Sequence, residues 1–105
     1  MHTFTQLGSD QISVWSAPFD QWIRYAYRQS EEAGYLISEM RLTQDPTKTI
    51  PRKVKITAHH NTWLISFDAE TDILCRVQRW NVSLRLWEEY PIAALETIQQ
   101  LPLAA

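Results

Sequence analysis

Apolar and polar positions divide the chain into one stretch of helical period and several of period two. Phe19, Trp22, Ile23, Ala26, Tyr27, Ser30 and Ala33 recur at spacings of three and four. Such a continuous stripe predicts a long amphipathic helix over about 17–33. Ser16 stands where an N-cap belongs, Pro18 suits the first turn, and Asp20 suits the positive end of the dipole. Gly34 follows as a C′ residue.

Beyond Gly34 the period becomes two, and strands are expected at about 35–43, 52–59, 62–68, 73–79 and 82–88. In the first, Leu36, Ser38 and Met40 share one face, and Tyr35, Ile37, Glu39 and Arg41 share the other. The inward sets of the rest are Val54, Ile56 and Ala58; Trp63, Ile65 and Phe67; Ile73, Cys75 and Val77; and Val82, Leu84 and Leu86. Asp45-Pro46, Ile50-Pro51, the His59–Thr62 turn and the Asp68–Asp72 turn separate them. Short connections force neighbouring strands to be antiparallel. Pro91 then opens a short helix over about 91–101, carried by Ile92, Leu95, Ile98 and Leu101. Upstream of the long helix, Thr3–Gln6 and Gln11–Trp15 are candidates for a short strand pair. The expected fold is therefore a single α+β domain spanning 1–105. A long N-terminal amphipathic helix packs on a four- to five-stranded antiparallel meander, with a short C-terminal helix.

One irregularity stands out. Val77 and Val82 are five apart, so inward parity flips between them. A tight turn at Arg79-Trp80-Asn81 or a bulge in one long strand would absorb the odd step; the turn is preferred, making a hairpin.

Composition adds limits. Apolar residues make up 45% of the chain and charged residues 21%, ordinary globular values. A domain of this size buries roughly 65% of its unfolded surface, enough for a core without staples. Cys75 is the single cysteine, so no internal disulfide forms. With no basic and apolar leader at the N-terminus and no long apolar window, a reduced cytoplasmic setting is expected, with no membrane contact. The net charge is −2, unevenly spread. Residues 1–34 hold four acids and two bases, 35–87 eight bases and five acids, and 88–105 three acids and no base. The middle of the chain is the basic part.

That middle contains Arg76–Trp87, with three arginines, two tryptophans and no acid. On strand parity the outward face collects Arg76, Gln78, Trp80, Ser83, Arg85 and Trp87, joined by Lys53, Lys55, Thr57, His59, Leu64, Tyr35, Ile37 and Arg41. Several aromatics on one face form a patch that usually contacts something. Three readings compete. The C-terminal helix covers the face; or the face binds a protein partner or a second copy, since Trp, Tyr and Arg dominate hot spots; or it stacks single-stranded RNA or DNA. The acidic balance and the lack of glycine–aromatic RNA motifs weigh against the third. Trp80, Arg76, Arg85, Trp87, Tyr35 and Arg41 are the candidate partner-binding residues.

No catalytic constellation is legible. His59-His60 are adjacent, so on a strand they point to opposite faces and chelate poorly. Asp68, Glu70 and Asp72 lack the spacing of a calcium loop. Two glycines leave little for a phosphate-cradling loop. The expectation is a non-catalytic domain with no cofactor and no metal, acting as an accessory subunit, assembly factor or inhibitor-type protein.

Overall fold

Successive strands joined by short connections pair most economically with their sequence neighbours. A computed structural model of the chain, describing residues 11–40, 52–58, 61–90 and 99–102, shows that arrangement. Its elements are β1 (Gln11–Val14), α1 (Phe19–Ala33), β2 (Leu36–Met40), β3 (Arg52–Ala58), β4 (Asn61–Phe67), β5 (Leu74–Asn81), β6 (Leu86–Glu89) and β7 (Gln99–Pro102). β2 to β6 form a five-stranded antiparallel meander, and β1 pairs antiparallel with β7 in a separate ribbon.

This corrects the expected architecture. The described residues contain one helix, mid-chain rather than N-terminal, because β1 precedes it. The predicted C-terminal helix is overturned at its end, where Gln99–Pro102 extends as β7 against β1. Residues 91–98 lie outside the described residues, as do Thr3–Gln6, Arg41 and His59. The molecule is mostly sheet.

The helix ends as expected, with Gly34 at φ 77° donating its N–H to Ser30 O at 2.8 Å. Its start differs. Pro18 occupies the N-cap without a side-chain cap, and the Phe19 N–H is taken by Asp72 O at 2.9 Å. Leu74 N–H donates back to Ala17 O at 2.9 Å, so the helix entry is strapped to the β4–β5 connection. The buried stripe also departs from expectation, because it includes Tyr25 and Gln29 while Tyr27 is exposed.

The ribbon explains the rotation. Ser13 in the middle of β1 is fully buried. Its N–H donates to Tyr25 Oη at 2.9 Å, and its C=O accepts from Trp22 Nε1 at 3.1 Å. The helix thus supplies hydrogen-bond partners to the β1 edge turned away from β7. Phe67 packs on Phe19 and Trp22, with centroids 5.2 and 5.6 Å apart. At the other end of β4, Trp63 Nε1 donates to Pro102 O at 2.9 Å. Helix and ribbon therefore lie side by side on one face of the sheet.

The register assigns every side chain to a face. Ile37, Ile56 and Trp63 form one inward row, and Glu39, Val54, Ile65 and Val77 the next. Two sequence expectations fail here. Tyr35 and Ile37 belong with the core, and the Tyr35 hydroxyl donates to Ala26 O at 2.9 Å. In β5 the inward residues are Leu74 and Val77 rather than Ile73, Cys75 and Val77. The register shifts between Ser66 and Phe67, leaving Cys75 unpaired and exposed. This bulge lies before Val77 and is separate from the parity step expected between Val77 and Val82, which disappears because Val82 belongs to the β5–β6 connection and faces solvent.

Tyr25→Phe removes only the oxygen that accepts the buried Ser13 N–H. The expected loss is about 1–3 kcal/mol of unfolding free energy, measured as a drop in urea midpoint at unchanged slope.

Candidate functional site

The outward face carries Leu36, Ser38 and Met40 on β2, Lys53, Lys55 and Thr57 on β3, and Thr62, Leu64 and Ser66 on β4. Arg76, Gln78 and Trp80 on β5 and Trp87 and Glu89 on β6 complete it. Its centre is closed. Leu64 and Gln78 are only 6% and 8% exposed, and their cross-strand neighbours carry side chains long enough to lie over them. Lys53 and Lys55 are half-buried and form no ion pair among the described residues. Ser66 Oγ is buried with no hydrogen-bond partner.

Three exposed apolar side chains cluster at the β5–β6 hairpin, while Leu36 on β2, Tyr27 on the helix and Ile73 before β5 are exposed elsewhere. Val82, Leu84 and Leu86 are 69%, 62% and 44% exposed. They were expected on the inner face of a last strand. Instead Val82–Arg85 is the turn and β6 begins only at Leu86. The turn therefore lies three residues beyond the Arg79-Trp80-Asn81 position that parity suggested. The V-S-L-R-L alternation reads as a strand, yet it contains no glycine where the backbone requires a left-handed residue. Arg85 takes that position at φ 55°, a conformation costly for a non-glycine residue.

Asn81 fastens the neck of this hairpin. Its Oδ1 accepts from the Leu84 N–H at 2.9 Å, its Nδ2 donates to Glu88 Oε1 at 2.9 Å, and its C=O accepts from the Arg85 N–H at 2.8 Å. One strand pair below, Trp80 and Trp87 stand opposite each other on the outward face, ring centroids 5.3 Å apart and 64° inclined. Edge-to-face packing of this kind stabilises a cross-strand pair. Arg76 and Glu89 form a salt bridge on the same face, with Arg76 Nε 2.7 Å from Glu89 Oε2. That contact holds the Glu89 carboxyl below the usual range and raises the guanidinium. On the opposite side of the neck, Arg79 donates to Asn61 Oδ1 at 2.6 Å and lies over the Trp63 ring. A shallow open depression of about 260 Å³ is lined there by Arg79, Trp80, Asn81, Val82 and Glu88.

Of the six residues singled out from sequence, three are brought together: Arg76, Trp80 and Trp87. Arg85 is adjacent, but in the turn rather than on the face. Tyr35 is removed from the group, because its ring points to the helix side. Arg41 falls outside the described residues. Sequence reasoning missed Val82, Leu84 and Leu86 as surface residues. Asn81, a residue whose side chain caps turns, was the available signal. The described tail, 99–102, lies on the helix side and leaves the tryptophan pair open to solvent in part.

Chemically the site offers apolar contact and ion pairing. Among the described residues no group of three His, Cys, Asp or Glu side chains is placed to hold a metal ion. Burial, then the charge of Asp68, pushes the Cys75 thiol up, which leaves it protonated and weakly nucleophilic at neutral pH. No described helix is long and apolar enough to cross a membrane. In comparisons with known proteins, no family model, curated protein or solved structure matches the chain.

Two outcomes follow from this geometry. A Trp80→Ala/Trp87→Ala variant stays folded, because neither ring belongs to the core, and loses roughly 1 kcal/mol. It also loses the exciton couplet of the ring pair in far-ultraviolet circular dichroism. The second concerns acid. Because Glu89 is depressed, its pairing stabilises the fold fully above the ordinary carboxylate pKa and fades as pH falls through the lower folded value. Glu89→Gln flattens that portion of a stability–pH curve measured by urea unfolding.

Proposed function

We propose that the chain is a small non-catalytic protein-binding domain, an accessory, assembly or inhibitor-type protein, that docks a partner through its β5–β6 hairpin. The observation that carries this reading is the exposure of Val82 and Leu84 in a turn fastened by Asn81, and of Leu86 at the start of β6 beside it. Turns normally recruit Gly, Asn, Asp and Ser; two exposed aliphatic side chains in this one, with a third beside it, serve no folding need. A pre-ordered loop also loses little conformational freedom on binding. Trp80 and Trp87 supply the apolar base, with Arg76 and Arg85 at the rim, the residue types that dominate hot spots. The single cysteine fits a reduced, cytoplasmic setting.

Single-stranded nucleic acid is the competing partner for the same face, with Lys53 and Lys55 as phosphate contacts. Two features argue against it. The indoles pack on each other rather than standing open as stacking platforms, and Arg76 is neutralised by Glu89.

Affinity capture from native cells is the test. The wild-type domain retains a partner that both Leu84→Glu and Trp80→Ala/Trp87→Ala lose, while Arg24→Ala on the exposed helix side retains it. Equal capture by all four proteins would refute the assignment. Tight oligonucleotide binding that falls steeply with salt would transfer the face to nucleic acid.

A further inference from the structure

On the outward face, β4 runs as a low strip between longer side chains. Leu64 and Ser66 lie on the strip, with Lys55 and Lys53 directly across the ladder on β3 and Gln78 and Arg76 on β5. Leu64 and Ser66 are buried, the lysines are half-buried and Arg76 is exposed.

Two features of this strip lack partners within the fold. Ser66 points outward, because Ile65 and Phe67 on either side of it are core residues, and its buried Oγ makes no hydrogen bond. A buried hydroxyl without a partner weakens a fold. Lys53 and Lys55 form no ion pair among the described residues, and the residues directly across from them are Ser38, Met40, Leu64 and Ser66. The acids nearby are engaged elsewhere. Glu89 lies on β6 and is paired with Arg76, and the Asp68 carboxylate accepts from the Glu70 and Thr71 N–H groups of its own turn.

We propose that Lys53, Lys55 and Ser66 hold a single phosphate group as its dianion. Ammonium groups only donate, and the Ser66 hydroxyl has its donor free, so the occupant must accept hydrogen bonds and carry negative charge. Lys53 and Lys55 are two positions apart on one strand, roughly 7 Å, so their four-carbon chains can converge on opposite sides of a tetrahedral group. With Arg76 committed to Glu89, two cations remain, matching a charge of about −2. The next outward positions, Leu36, Thr57, Thr62, Trp80 and Trp87, include no cation, so the site suits one phosphate rather than a chain of them. One ion thereby supplies the missing partner of the buried hydroxyl and neutralises both lysines. The site is separate from the hairpin tip and does not rest on partner docking there.

The probe is inorganic phosphate, titrated into the full chain at about pH 8, above the second phosphate pKa, and at constant ionic strength. Amide chemical shifts read the binding. Saturable shifts centred on Lys53, Lys55 and Ser66 are expected, with a Kd roughly in the millimolar range open to one hydroxyl and two partly solvated ammoniums. Ser66→Ala weakens binding about tenfold, yet raises the urea midpoint in phosphate-free buffer because it removes the unpartnered hydroxyl. Lys55→Gln weakens binding roughly threefold, and Leu84→Glu leaves it unchanged. Methyl phosphate, titrated in parallel, identifies the source: binding at least as tight as the free ion assigns the site to phosphate esters, and weaker binding to inorganic phosphate. Three results overturn the proposal: no saturable shift up to about 50 mM phosphate, equal affinity in Ser66→Ala, or acetate binding as tightly as phosphate. Tight, steeply salt-dependent binding of a single-stranded oligonucleotide at these residues would also overturn it, in favour of a polyanion.

Discussion

A strand buried in the same layer as a helix must have hydrogen bonds along both edges, and the fold turns on how β1 meets that requirement. One edge is satisfied by β7. The other is satisfied by side chains, with Tyr25 accepting from Ser13 N–H and Trp22 donating to Ser13 C=O. An unpaired peptide group at this depth would cost about as much as a point mutation that cripples a small domain. The helix is therefore oriented by two polar atoms as much as by its apolar stripe, and Tyr25 is inside while Tyr27 meets Glu39 at the surface.

The same requirement places the C-terminal end. β7 pairs with β1 and is anchored to the sheet by the Trp63 indole, so the described tail belongs to the helix side. One face of the meander is thereby closed by two elements. The opposite face keeps its tryptophan pair half-exposed. Beyond it, Val82 and Leu84 stand exposed in a turn fastened by Asn81, with Leu86 exposed at the start of β6.

Much of this could be read from the chain. The helix and its glycine stop follow from period and capping; Val54, Ile56, Trp63, Ile65 and Phe67 follow from strict alternation, and all five are buried. The outward parity of Arg76, Trp80 and Trp87 was legible for the same reason. The failures have separate local causes. Cys75 looked inward because alternation assumes an unbroken ladder, and the bulge opposite Ser66 and Phe67 breaks it. Tyr35 and Ile37 were assigned to the wrong face because a short strand with apolar residues at both parities gives no preference. Val82, Leu84 and Leu86 matched a strand because aliphatic residues every second position look alike whether buried or displayed.

The sequence by itself determined the long helix and the extended segments that became β2 to β5, with the facing of β3 and β4, since those follow from local periodicity, capping and turn chemistry. Tertiary structure alone decided that Gln99–Pro102 is a strand and that Arg85 adopts a left-handed conformation. It also decided that the aliphatic hairpin is surface. Each of these depends on a partner distant in the chain or on where the core ends, and a local pattern carries no information about either.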